Sequence, residues 1–115
     1  MNCGDVVLVL YPFTDMTGSK VRPAIVVSND AFNRGEDLVF VPVSSSPEAN
    51  DPYVYPIPQQ HRAFRVSGLK TDSYVKFTKV MALSKIIIRR RLGSLDADTL
   101  RDLSLEISSL FQPKS

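Results

Sequence analysis

The apolar residues of this 115-residue chain come in short runs, most of them cut by a proline or closed by a polar cluster. None approaches the roughly 18 consecutive apolar residues that span a bilayer. Runs of this kind, rich in Val, Ile, Phe and Tyr, predict strands at 5–10, 23–28, 38–43, 53–57, 73–77 and 80–83. Residues 86–91 fit a strand or a short helix equally well. Tyr11-Pro12 ends the first run, and Pro42 within the third implies an edge or a bulge, because proline gives no N–H to a ladder. The stretch 23–28 is almost continuously apolar, as expected of a strand covered on both faces. Only near the end does the period change. Leu100, Leu103, Ile107, Leu110 and Phe111 recur at helical spacing, Asp96 suits the N-cap, Asp98 suits the positive end of the dipole, and Pro113 closes the helix. Six or seven short strands with one helix predict a mainly β (α+β) fold, a small bent barrel closed by a C-terminal helix. An open α+β sheet is the alternative, and pattern alone does not separate the two.

The length predicts one domain over 1–115. Cys3 is the only cysteine and His61 the only histidine, which excludes a Cys-cluster metal site and a two-histidine ribonuclease-type site. No Walker loop, Rossmann glycine motif or metal-ligand spacing occurs, so no cofactor and no metal are expected. The opening residues have no basic segment before the first apolar run, which predicts no signal peptide and a cytoplasmic location without a membrane. Charge is unevenly placed. Residues 1–60 carry three Lys/Arg against seven acids, whereas 61–115 carry eleven against five. Nine basic residues and a single acid, Asp72, lie between Arg62 and Arg91. Such a cluster is either a polyanion-binding face or a set of solvated strand faces.

The segment Gly18-Ser19-Lys20-Val21-Arg22-Pro23-Ala24-Ile25-Val26-Val27-Ser28-Asn29-Asp30 resembles the central motif of the MazF/PemK toxin family. Gly4 to Val9 with Tyr11-Pro12-Phe13-Thr14-Asp15 is similar to that family's first strand and loop, and Val41-Pro42-Val43-Ser44-Ser45 to its strand ending in a hydroxyl residue. Ser73-Tyr74-Val75-Lys76 and Leu92-Gly93-Ser94-Leu95 fit its second half. The resemblance implies an SH3-like barrel, a homodimer, metal-independent endoribonuclease activity on single-stranded messenger RNA, and a cognate antitoxin whose flexible acidic tail covers the groove.

RNA can be cut without metal because its own 2′-OH is the nucleophile. The protein must then take that proton, neutralise the growing charge on phosphorus and protonate the leaving oxygen. Arg22 suits the second task, since a guanidinium donates two parallel bonds to phosphate oxygens. Pro23 biases it toward extended backbone at a loop–strand junction. Ser44 matches the family's hydroxyl position, commonly threonine, and is expected to be catalytic beside Arg22. Lys76 falls where some members place a catalytic arginine. Thr78 stands where many carry an acid, which leaves the general base unassigned. Lys20, Lys76, Thr78, Asp15 and Asn29 are the expected substrate-binding residues. Arg62, Arg65 and Lys79 are candidates for the RNA backbone, and Tyr11, Phe13, Tyr53 and Tyr55 for base stacking. Two other readings stay open. One is a gyrase-poisoning toxin like CcdB, disfavoured because that family depends on a C-terminal tryptophan and this chain has none. The other is a catalytically silent barrel that binds RNA or antitoxin.

Overall fold

A computed structural model describes residues 1–11, 20–46 and 51–113. Its elements are β1 (Asp5–Tyr11), β2 (Lys20–Val26), β3 (Asp37–Ser44), β4 (Tyr55–Ile57), α1 (Phe64–Ser67), β5 (Ser73–Val75), β6 (Met81–Ser84), β7 (Ile88–Ser94) and α2 (Ala97–Ser109). Every strand pairing is antiparallel, in the order β4-β5-β3-β2-β1-β7, with β6 also on β3. These seven strands and the C-terminal helix match the expected six or seven strands and one helix. The ladder differs from a closed barrel in one respect: among the described residues no pairing joins β4 to β7, so the sheet is strongly bent but open.

β1, β2 and β3 explain the continuous apolar runs, because both their faces are buried. Val6, Ile25, Val41 and Val43 lie in one core cluster with Leu103 of the helical stripe, against which Leu100, Ile107 and Leu110 pack. Val7, Val9, Ala24, Val26, Leu38 and Phe40 form a second cluster on the other face, flanked by Met81, Leu83, Ile87 and Ile88. Period-2 alternation sends neighbouring residues into opposite clusters.

Pro42 is neither at an edge nor in a bulge. Residues 37–40 of β3 pair with β6, and 43–44 pair with β5. Pro42 sits where one partner hands over to the other, and its carbonyl accepts from Lys76 N–H at 2.9 Å. N–H and C=O of one strand residue point to the same side, so the missing donor faces that handover and leaves nothing unpaired. Residues 86–91 resolve into a 3-10 turn at Lys85–Ile87 followed by β7. β2 begins earlier than the apolar pattern suggested, because pairing with Leu10 and Tyr11 carries it back to Lys20. The helix ends earlier than expected. Leu110 is its C-cap, and Phe111 is 70% exposed. The N-cap is Asp96 as read, its side chain accepting from Thr99 N–H at 3.1 Å.

Two glycines let α1 close down on β7. A Cβ on Gly93 would lie 2.1 Å from the Val66 carbonyl oxygen, and one on Gly68, which has φ +75°, 2.3 Å from the Leu92 carbonyl oxygen. Gly93→Ala therefore forces the two backbones apart and should cost about 1–3 kcal/mol. A urea titration should show a lower midpoint with an unchanged slope. Gly35→Ala, whose added Cβ meets only an ordinary contact at 3.5 Å, should stay near wild type.

Burial alone would raise the Asp96 carboxyl, but hydrogen bonding from Thr99 and Arg62 overcomes this and holds it below the usual Asp value. A depressed folded-state pKa contributes stability that is present above the unfolded value, about 3.9, and lost as pH falls through the folded one. Unfolding midpoints measured between pH 7 and pH 3 should fall less in Asp96→Asn than in wild type.

Candidate functional site

The site begins where β2 leaves β3. Three pairs join these strands: Ala24 with Pro42, Ile25 with Val41 and Val26 with Phe40. Val27 N–H donates to the Val39 carbonyl at 2.9 Å, so the odd residues of β2 turn their polar groups toward β3. The next odd residue after Ile25 is Pro23, which has no N–H to give. The ladder stops there and the two strands part. Arg22 is the second residue beyond the last shared pair, opposite Val9 of β1.

Register fixes the faces. Ala24 lies opposite Pro42, and Ser44 lies opposite Tyr74. With alternation along each strand, Arg22, Pro42, Ser44 and Tyr74 share one face. Lys76 follows Tyr74 at the same parity, its backbone still bonded to Pro42. Three residues expected at the site, Arg22, Ser44 and Lys76, are thus brought to one face at one end of the sheet. Thr78 is exposed in the turn beyond β5. Asn29 lies past the far end of β2, where its side chain accepts from Phe32 N–H at 2.9 Å and shapes a turn. Lys20 opens β2. Asp15 and Phe13 lie outside the described residues.

The chemistry of these groups is that of an anion site. Arg22 Nε is buried and has no hydrogen-bond partner among the described residues. A buried donor left unmade costs about 1–3 kcal/mol, more when charged, and is retained where something else is to fill it. Ser44 Oγ accepts from Ser46 N–H at 3.0 Å, which leaves its own hydrogen to donate. Arg22 and Ser44 also border a cavity of about 290 Å³. Among the described residues its charged lining is Arg22, Lys70 and Arg90, with no carboxylate.

Lys70 and Arg90 were not among the residues singled out from the sequence. Nothing in the sequence separates Arg90 from its neighbours, but register does: Arg90 pairs with Leu8, whereas Arg91 pairs with Val7 and so takes the opposite face. There Arg91 meets the buried Asp5 at 3.2 Å. Arg62, a candidate for the RNA backbone, instead bridges Asp96 at 3.2 Å and Asp102 at 3.0 Å across α2. His61 is held by its surroundings, its Nδ1 accepting from Ala63 N–H at 3.0 Å. It does not line the cavity.

A family model described as PemK-like, MazF-like toxin of type II toxin-antitoxin system matches residues 2–111. The chain belongs to this family. Solved structures agree on the fold. An endoribonuclease in complex with its cognate antitoxin from a mycobacterial species is 20% identical with a TM-score of 0.76, covering 100% of this chain and 99% of that one. The Mycobacterium tuberculosis toxin MazF-mt6 is 16% identical with a TM-score of 0.72, covering 93% and 95%. A chain of the MazE-MazF structure (Form-II) from Deinococcus radiodurans is 21% identical with a TM-score of 0.76, covering 99% and 97%. A search of curated proteins gave no match. Membership in the PemK/MazF family sets aside the CcdB-like reading. Among the described residues no helix is long and apolar enough to cross a membrane.

A half-buried arginine whose Nε has no partner among the described residues lowers stability for the sake of a ligand. Arg22→Met keeps the stem and removes the charge, so its unfolding free energy should equal wild type or exceed it by up to about 2 kcal/mol. A loss of stability in a chemical-denaturation comparison would instead make Arg22 a structural residue.

Proposed function

We propose that this PemK/MazF-family toxin is an endoribonuclease that cuts single-stranded messenger RNA without a metal ion, acts as a homodimer in the cytoplasm, and is neutralised by an antitoxin with an acidic flexible tail. The observation that carries the reading is the buried, unpartnered Nε of Arg22 on the same face as Ser44. The phosphodiester occupies the place that no protein group fills. Arg22 donates to its non-bridging oxygens, and the Ser44 hydroxyl adds a third bond as charge grows on phosphorus. The 2′-hydroxyl gives up its proton to water as its oxygen attacks the adjacent phosphorus, the bond to the 5′-oxygen breaks and that oxygen takes up a proton, leaving a 2′,3′-cyclic phosphate and a 5′-hydroxyl. Lys76, at the same parity, assists the leaving group or the phosphate.

The donor set favours this route over a metal-assisted one. Hard divalent cations need several oxygen ligands, usually carboxylates. Among the described residues no carboxylate lines the adjoining cavity, and no three His, Cys, Asp or Glu side chains could hold an ion. With Thr78 rather than an acid after β5, charge stabilisation is the larger part of catalysis. Asp15 and Lys20 extend the substrate contacts in this reading, with Thr78 at the outer edge, while Asn29, past the far end of β2, would meet only a more distant part of the strand.

Purified protein should cleave single-stranded RNA in EDTA. Arg22→Ala should lower kcat by about 10²–10³-fold, as loss of a transition-state donor does. Ser44→Thr should retain activity that Ser44→Ala loses. A deoxyribose at the scissile position should stop cleavage. Cutting of that chimera, or equal rates for wild type and Arg22→Ala, rejects the mechanism, and RNA binding without scission selects a silent binding protein.

A further inference from the structure

The cavity that Arg22 and Ser44 border lies mainly on the other face of the sheet, behind the proposed phosphate site. Leu8, Pro23 and Arg90 are directly opposed across β1, which sets them on one face, away from Arg22. Val43 and Leu69, buried in the helix-side core, line it with them. Its outer wall is the stretch from Gly68 to Ser73, and this wall is built rather than loose. Ser67 Oγ donates to the Phe64 carbonyl at 2.7 Å and accepts from Leu69 N–H at 3.1 Å. Ser73 Oγ donates to the Thr71 carbonyl at 2.8 Å. The left-handed Gly68 sits so close to Leu92 that no side chain fits between them.

The lining has three parts. Leu8, Leu69 and Leu92 give an apolar floor; Ser45 and Thr71 give hydroxyls; Lys70 and Arg90 give positive charge. Among the described residues neither cation has an ion pair. We infer that this cavity takes one phosphate-bearing nucleotide of the RNA strand. Its phosphate lies on Lys70 and Arg90, its base against the leucines, and its sugar hydroxyls on Ser45 and Thr71. That the nucleotide belongs to an RNA strand rests on the ribonuclease reading; that the cavity binds a nucleotide does not. Arg22 and Ser44 border both places, so the cavity holds a neighbour of the scissile nucleotide and reads it. An acidic peptide would satisfy the cations but leave the apolar floor uncovered. At about 290 Å³ the space suits one nucleotide rather than a length of chain.

Wild-type protein titrated with each nucleoside 5′-monophosphate, followed by amide NMR, should show its largest shifts at Leu69, Lys70, Thr71 and Ser73. Arg90→Gln and Lys70→Gln should each weaken that binding by about fivefold or more, as loss of a charge-assisted contact does, while melting as wild type does. On RNA, Arg90→Gln should raise KM and change which nucleotide beside the cut is preferred, with kcat on the best substrate nearly kept. Inorganic phosphate that binds as well as the nucleotides, an acidic peptide that shifts these amides when nucleotides do not, or silence at 69–73 overturns the inference. Mononucleotide binding by a protein that cuts no RNA overturns the nuclease reading alone. Cleavage with those amides unmoved overturns the cavity reading alone.

Discussion

Everything at the site depends on the ladder between β2 and β3 stopping at Pro23. Backbone donors on β2 point toward β3 at every second residue, and the one due after Ile25 is missing. Had a residue with an N–H stood there, pairing could have continued toward Val21 and Val43 and closed the opening. The proline thus does more than hold Arg22 extended. It parts the strands, so that one guanidinium lies at the last point where the sheet is closed and the first where it is open. Pro42 is the matching element on β3, tolerated because its bare nitrogen faces the handover from β6 to β5. Two prolines that look like interruptions in sequence set where the sheet opens.

The strand and helix pattern was legible because burial is two-sided and the alternation regular. Asp96 as N-cap and the Leu100–Leu103–Ile107–Leu110 stripe follow from local rules, since capping and helical period are short-range properties. Arg22 and Ser44 were legible through motif resemblance, and register explains why the motif pairs them. What the chain could not reveal by itself was set by long-range packing. Lys70 reaches the cavity only because Gly68 and Gly93 let α1 and its following loop press onto β7. Arg90 and Arg91 are adjacent and alike in sequence, and only the partner strand decides that one meets Asp5 and the other the cavity. Phe111 continued the apolar spacing yet lies outside the helix, because the capping turn at Leu110 ends it first.

Charge is sorted by this fold in a way that net charge conceals. Five acids of the described chain are turned to structural tasks. Asp5 holds Arg91 and accepts from Asn2 N–H at 2.8 Å, Asp30 accepts from Cys3 N–H at 2.9 Å, and Asp72 accepts from Gln59 N–H at 2.9 Å. Asp96 and Asp102 both hold Arg62. Each pairing keeps a carboxylate away from the cavity, where it would otherwise neutralise a cation in competition with the ligand.

This sorting bears on how a weakly basic protein with no evident general base can still act on RNA. In water, two unit charges 4 Å apart attract by only about 1 kcal/mol, and the same pair in a half-buried site by several times that. A guanidinium whose Nε is already stripped of solvent has met part of its desolvation cost during folding, so less is charged against phosphate binding or against the doubly charged phosphorane. The benefit is greater for the phosphorane, whose charge is greater, than for the resting phosphodiester. Preorganisation of this kind favours the transition state over the ground state, and differential binding is what accelerates a reaction. Removing nearby carboxylates and presenting an arginine with a buried, unpartnered Nε therefore act together, and each would be worth less without the other.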